Sequence, residues 1–416
     1  MGQDTPVAAW GPLRVSGLHA CLPWLRHPPD KQGDRTPLLA AEDAGKVPNG
    51  YRCLSDERIE TVSSLGERAL VARLRSRIAE TPGVRVGIGD DCALVETPPV
   101  SLLTTDTLVE GVHFDRALTP ARLLGRKAMS VNLSDIGAMS GVPRYALVNL
   151  CLPPTCPLDF FDGLYEGLIE RAAEVGVGIV GGNLSATPGP ITISITLLGV
   201  GDRPILRQGV QVGDLVVITG GLGAAAEGLR LLREGVRLAD DGMVIDTGIW
   251  TPSSEGPLAR CVRAHLDPTP PLAFARAMSE TPGAVRAMMD LSDGLSLDLI
   301  RLCAENSIGA VIDPLAVPVD PAVARIERAR GGDPLPLALH GGEDYQLLMA
   351  ISPDSIDAVR DMAFVWDLPI TVIGQFVVGA PVVSVQVGEW IEPLKSQGFD
   401  HFGFSEIQRP PAFGVT

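Results

Sequence analysis

Five short acidic clusters constrain this chain more than any other feature: Gly87-Ile88-Gly89-Asp90-Asp91, Thr104-Thr105-Asp106, Asn132-Leu133-Ser134-Asp135, Asp290-Leu291-Ser292-Asp293-Gly294 and Gly341-Gly342-Glu343-Asp344. Each ends or interrupts an apolar run, which places it where a strand or helix meets a loop. Two carboxylates about 4 Å apart repel by roughly 1 kcal/mol in water and about 4 kcal/mol at an intermediate dielectric. A fold that gathers six or more of them therefore needs a hard cation such as Mg²⁺ between them. The reaction that most often uses such a site is phosphoryl transfer from a nucleotide.

The remaining bulk properties narrow the class. The 416 residues are 45% hydrophobic and 20% charged, enough for a sizeable core and most simply two domains. A net charge of −16 argues against a nucleic-acid binder. Lysine occurs only at Lys31, Lys46, Lys127 and Lys395, the other basic residues being arginine, a bias that reads as GC-rich coding. Seven cysteines lack CxxC spacing, so solitary reduced thiols are expected. No apolar run reaches membrane-spanning length and no signal pattern opens the chain, so the cytoplasm is the expected compartment.

Residues 1–60 are broken by seven prolines from Pro6 to Pro48 and read as a disordered extension. Periodicity starts near Leu65, with Leu70, Leu74 and Ile78 on one helical face. Strands are expected at 100–106, 145–152, 178–181 and 191–200, and helices from Pro120 through Ile136 and over 158–175. Pro204–Gly213 reads as a link, giving an N-terminal domain over 61–203 and a C-terminal one over 204–416, with a polar insertion at 240–256. In the second half, strands are expected at 214–219, 310–312, 345–351, 370–375 and 382–387. Helices are expected to Leu232 and at 259–265, 272–279 and 295–306. Alternating strands in both halves favour an α+β fold with mixed or antiparallel sheets over a doubly wound one.

No GxxxxGK[ST] segment exists and the protein-kinase motif set is missing. Gly220-Gly221-Leu222-Gly223 lacks the third-glycine spacing of a dinucleotide site. Taken in series, GIGDDCALVE (87–96), TTDTLVEGVHF (104–114), AMSVNLSDIGAMSG (128–141), GGNLS (181–185), MDLSDGLSLDL (289–299), GGEDYQLL (341–348) and GFDHFG (398–403) resemble the thiamine-monophosphate kinase family. The family lies in the superfamily of aminoimidazole ribonucleotide synthetase and selenophosphate synthetase. The resemblance covers about residues 65–405. It implies a two-domain fold like that of aminoimidazole ribonucleotide synthetase: an N-terminal sheet domain that dimerises and a C-terminal α/β sandwich.

The resemblance also implies an activity and a set of sites. The expected reaction is transfer of the γ-phosphoryl group of ATP to thiamine phosphate, with several Mg²⁺ ions, ATP as co-substrate and a homodimer as the working form. The acceptor is a phosphate oxygen already ionised near neutral pH, so no strong general base is needed. Metal positions fall on Asp91, Thr104, Thr105, Asp106, Asp135, Asn183, Asp290 and Asp293, of which Asp106, Asp135 and Asp293 form the catalytic set; Asp90 either joins them or shapes its loop. ATP contacts fall on Gly181, Gly182, Asn183, Arg207 and Ser292. His113, Glu343 and Phe399 fall on substrate positions, a carboxylate and an aromatic face both suiting a thiazolium cation.

Asn183 stands where the family commonly has Asp; it offers an oxygen but no charge. Related readings fit less well. Selenophosphate synthetase needs a reactive Cys with a glycine-rich Lys segment, hydrogenase-maturation dehydratases end in cysteine, and aminoimidazole ribonucleotide synthetase differs around the acidic loops. A non-catalytic nucleotide-binding scaffold is the reading from another class. Clustered carboxylates without a cation would only destabilise it.

Overall fold

A computed structural model of the chain describes residues 60–65, 67–86, 88, 94–98, 101–238, 244–245 and 255–399. The expected extension up to residue 59, the Asp90-Asp91 pair and most of the 240–256 insertion lie outside the described residues.

The first half is a four-stranded sheet covered on one face by helices. Its strands are β1 (Ser101–Val109), β2 (Val142–Leu152), β3 (Gly178–Ala186) and β4 (Thr192–Val200), in the spatial order β1-β4-β2-β3. Only β2 and β3 run parallel, joined by a crossover helix, and the other pairings are antiparallel. Along β1, Leu102 and Leu108 are buried while Leu103, Thr105 and Thr107 are exposed, the period-2 pattern of a strand with one covered face. The preceding helix α1 (Glu67–Arg77) buries Leu70 and Leu74 in the same core, as their spacing predicts.

Two further helices make the covering layer: α2 (Ala121–Ala138) and α3 (Leu158–Glu174). Helix α2 begins one residue after Pro120 and is buried on nearly every side, including Leu124, Met129, Leu133 and Ile136. Full burial of each such side chain contributes on the order of 1.5–3 kcal/mol. The helix is buried all round because it packs on β1, β4 and β2 on one side and on elements of the second half on the other. It approaches α3 at glycines: a Cβ on Gly125 would lie 2.0 Å from the Leu164 carbonyl oxygen, and one on Gly167 1.8 Å from that of Arg122.

The second half is a seven-stranded sheet with both faces covered. Its strands are β5 (Leu215–Thr219), β6 (Val285–Asp290), β7 (Gly309–Ile312), β8 (Leu347–Ile351), β9 (Ile370–Val377), β10 (Val383–Val387) and β11 (Trp390–Pro393). They lie in the order β6-β8-β5-β9-β7-β10-β11, all antiparallel except β7–β10. Its helices are α4 (Ala224–Arg233), α5 (Pro257–Leu266), α6 (Leu272–Ala277), α7 (Leu295–Asn306), α8 (Pro321–Arg330), α9 (Leu335–His340) and α10 (Ile356–Val365). Val216 and Ile218 face a core shared with Leu295, Leu299 and Leu302 of α7. Val217 faces the opposite core, with Phe274 of α6 and Val359 of α10. Burial on both faces explains why β8 is apolar throughout. The α+β class and the mixed sheets agree with the sequence reading, whereas β6, β11 and helices α8 to α10 are additions to it.

No helix among the described residues is long and apolar enough to cross a membrane. Replacing Gly125 by Val should destabilise the protein by about 2–3 kcal/mol through overpacking against α3. Denaturant unfolding measures this, and a loss under about 0.5 kcal/mol would contradict the close helix contact.

Candidate active site

The inner face of β1 and the last turns of α2 meet at the first acidic group. Thr104 and Asp106 are two residues apart on one strand and so share a face. The Thr104 hydroxyl donates a short hydrogen bond to Asp135 of α2. The Asp106 amide donates to Asn132 Oδ1 at 3.0 Å, while Asn132 Nδ2 donates to the Ala128 carbonyl at 3.1 Å, which fixes the amide.

The second half closes on the same point. Asp290 ends β6 and accepts from Ser134 Oγ of α2 at 2.7 Å, a buried link between the two halves. Ser292 and Asp293 follow in the turn before α7. The Asp293 carboxylate pairs with Arg301, and its amide donates to Asp298 Oδ2 at 3.0 Å. Burial, and then the charges of Asp135, Asp290 and Asp293, push Asp106 up to about 7. Burial and the charge of Asp135 push Asp290 up to about 6. Burial raises Asp135 too, partly opposed by the Thr104 hydrogen bond and by Arg207. Arg207 therefore lies within electrostatic reach of the cluster, from the exposed link between the halves.

The donors here are oxygens alone, the chemistry of a hard cation, and burial together with neighbouring carboxylates raises the proton affinity of Asp106 and Asp290. Among the described residues no three His, Cys, Asp or Glu side chains already stand around one point. That arrangement suits Mg²⁺, which keeps several waters and is held by one or two carboxylates together with substrate phosphates.

Not every expected metal residue joins the cluster. Thr105 points to the outer face of the sheet and its hydroxyl donates to the Ile195 carbonyl at 3.0 Å. Asn183 lies in register with Asn149 on the same outer side, is exposed, and donates to Ser185 Oγ at 2.9 Å. Gly181, Gly182 and Asn183, expected as a phosphate loop, are part of the edge strand β3, which runs beyond Gly181 to Ala186. Gly182 has φ +154, and a Cβ there would sit 1.9 Å from the Val148 carbonyl oxygen, so the position accepts only glycine.

The expected substrate residues do gather beside the cluster. His113 follows β1, accepts from the Val109 amide through Nδ1 at 3.0 Å, and its ring lies 6.5 Å from that of Phe399. The Phe399 amide donates to the Asp293 carbonyl at 3.0 Å, and the Glu343 amide to that of Ser292 at 2.7 Å. The Glu343 carboxylate pairs with Lys127 Nζ at 2.7 Å and His265 Nδ1 at 3.0 Å. Burial alone would raise its pKa, but these two groups hold it well below the usual carboxylate range. Its charge is thus already opposed by a protein cation, so it suits a substrate as a hydrogen-bond acceptor more than as a bare counter-ion.

Comparison with known proteins places this geometry. Models of the AIR synthase related protein N-terminal and C-terminal domains match residues 89–201 and 211–387. A thiamine-monophosphate kinase of Rhodopirellula baltica is 32% identical over 344 residues, covering 80% of this chain and 97% of its own. One from Synechococcus elongatus is 33% identical over 353 residues, covering 82% and 98%. The chain belongs to the thiamine-monophosphate kinase family. The solved thiamine-monophosphate kinase of Stenotrophomonas maltophilia K279a superposes with a TM-score of 0.65 at 30% identity over 76% of this chain and 95% of that one. A structure of AaThiL complexed with AMPPCP and TMP gives 0.63 at 28% identity over 83% and 100%. Hydrogenase maturation protein HypE in complex with ATP, at 19% identity and a TM-score of 0.61, shares the fold alone.

Sequence reasoning missed Lys127, His265 and Arg301 and gave Asn132 and Ser134 of the quoted motif no role of their own; all five hold the thiamine-monophosphate kinase motif residues in place. The folded protein retains protons on Asp106 and Asp290 that the unfolded chain releases near pH 4. Without divalent cations its stability should therefore fall as pH rises from about 4 towards 7, and added Mg²⁺ should reverse the loss. Asp106→Asn should raise the metal-free Tm at pH 8 by about 2–4 °C and reduce the Mg²⁺ response. Scanning calorimetry with and without chelator tests this, and a lower metal-free Tm in the variant would refute the repulsion.

Proposed function

We propose that this protein phosphorylates thiamine phosphate to thiamine diphosphate, using ATP, by direct in-line transfer of the γ-phosphoryl group. The observation that carries the reading is that Asp106, Asp135, Asp290 and Asp293, from both halves of the chain, come within electrostatic reach of one another, with Ser134 of α2 hydrogen-bonded to Asp290 across the two halves. Family membership, with coverage of nearly the whole length of its curated relatives, supports the same reaction.

The difficulty in such a reaction is bringing a phosphate monoester to a polyanion. Magnesium ions, when bound, supply the charge that neutralises both and lines them up. We assign Asp106, Asp135, Asp290 and Asp293 to hold them, with Thr104 orienting Asp135 and Asn132 fixing the strand at Asp106. Asp91, Thr105 and Asn183 stay proposals as ligands, the last two from the outer face of the first sheet. Arg207, Gly181, Gly182, Asn183 and Ser292 are proposed for ATP, with the Arg207 guanidinium as a phosphate fork. His113 and Phe399 would hold the acceptor's rings, and Glu343 would accept a hydrogen bond from it. No group is needed as a strong base, because the attacking oxygen is already ionised.

We further propose two domains meeting near residue 203, action in the cytoplasm where ATP and Mg²⁺ are at hand, and a homodimer formed through the first sheet. The uncovered face of that sheet supports the dimer, since Leu103 is 71% and Leu147 41% exposed there. Leu103→Glu should shift the protein towards monomer in light scattering, and an unchanged mass would move the interface elsewhere.

Incubation with thiamine phosphate, ATP and Mg²⁺ should yield thiamine diphosphate and ADP in equal amounts. Absence of thiamine diphosphate, with ADP formed only on another acceptor, would sink the substrate assignment. Asp135→Ala should lower kcat by about 10²-fold or more while the protein stays folded. A rate within about twofold of the parent would remove Asp135 from the site.

A further inference from the structure

Lys127 is the most deeply buried cation among the described residues, and the reaction above has no use for it. It is one of only four lysines in a chain whose other basic residues are arginine. Its side chain is 1% exposed, on the central helix α2, eight residues before Asp135. An isolated ammonium in such a place is costly, so its single ion pair with Glu343 must repay the burial.

The partner is unusual as well. Glu343 and, two residues on, Tyr345 both have left-handed backbones, with φ of +66 and +49. Non-glycine residues hold that conformation only where the surroundings over-determine it. Here the Glu343 amide donates to the Ser292 carbonyl at 2.7 Å, the Tyr345 amide to Leu291 at 2.9 Å, and the Leu291 amide to Gln346 at 2.8 Å. Asp344 accepts from the Gly223 amide at 2.7 Å at the start of α4. The 343–346 segment is thus zippered to the segment that ends in Asp293. Its side-chain tie to α2 is the Lys127–Glu343 pair, with His265 of α5 on the second carboxylate oxygen. Glu343 remains 26% exposed, so one side of it is open to a ligand while its charge is held from behind.

We propose that Lys127 is a positioning residue for the phosphate acceptor, acting through Glu343 to set the 343–346 segment against α2. This rests on the reading of Glu343 as an acceptor contact given above. The same tie keeps Ser292 and Asp293 in step with Asp135, because one helix carries both Lys127 and Asp135. Arginine does not substitute: its branched, planar fork needs room and partners that a fully enclosed Nζ position does not provide.

Steady-state kinetics with each substrate varied in turn, on Lys127→Arg, Lys127→Met, Glu343→Gln and the Lys127→Met/Glu343→Gln double variant, test this. The expected result is a KM for thiamine phosphate raised about tenfold or more in the single variants, with the KM for ATP changed less than about threefold. The double variant, which leaves no unpaired buried charge and so secures a folded protein, should be no worse than Glu343→Gln alone. Hydrogen exchange of the ligand-free protein should show faster exchange at the 343–346 and 291–293 amides in Lys127→Met. Equal rises in both KM values, additive losses in the double variant, or unchanged exchange in these segments would each overturn the proposal. A parent protein with no activity on thiamine phosphate would instead overturn the functional reading, and the exchange result would still decide the role of Lys127.

Discussion

Repulsion between carboxylates brought together from two halves of the chain is the constraint around which the structure is organised. Asp106 lies on a strand of the first sheet, Asp135 on the central helix, Asp290 at the end of a strand of the second sheet and Asp293 in the turn that follows it. Burial first, and then the charge of neighbouring carboxylates, makes Asp106 and Asp290 hold protons well above the ordinary carboxylate range. A fold does not keep such a cluster for stability. In the proposed reaction, bound cations and phosphates would complete this negative charge, so that electrostatic strain in the free protein would become binding energy for the substrates.

The central helix makes this possible. It is buried on nearly every side because it serves as core for both sheets, and the residues that reach the site leave it at fixed intervals. Lys127, Asn132, Ser134 and Asp135 each contact a different neighbour: Glu343, the Asp106 amide, Asp290 and Thr104. Close glycine contacts set the spacing between that helix and α3. The geometry of the site is therefore an extension of core packing, which makes distant overpacking a route to lost activity.

Much of this was legible in the sequence. Acidic clusters at the ends of apolar runs named the carboxylates that the two halves bring near one another, and alternating runs announced mixed sheets over both halves. Other features were hidden for physical reasons. Strand β6 reads Val-Arg-Ala-Met-Met-Asp, whose Ala and Met favour helix, and burial in a central sheet overrides that preference. Thr104, Thr105 and Asp106 look like one motif, yet strand geometry sends Thr105 to the opposite face, a consequence of period 2 that the sequence does contain. The Gly181–Asn183 segment reads as a loop, and only pairing with β2 makes it a strand. The tie between Lys127 and Glu343 crosses more than half the chain, and its only local trace is a lysine where arginine is the rule.

The most direct test of convergence is an anomalous-scattering experiment on crystals grown with Mn²⁺ and a non-hydrolysable ATP analogue. Anomalous peaks between Asp106, Asp135, Asp290 and Asp293, bridging to the nucleotide phosphates, are the predicted result. A nucleotide bound with no peak among these carboxylates, or with its metal at a separate surface, would contradict the account.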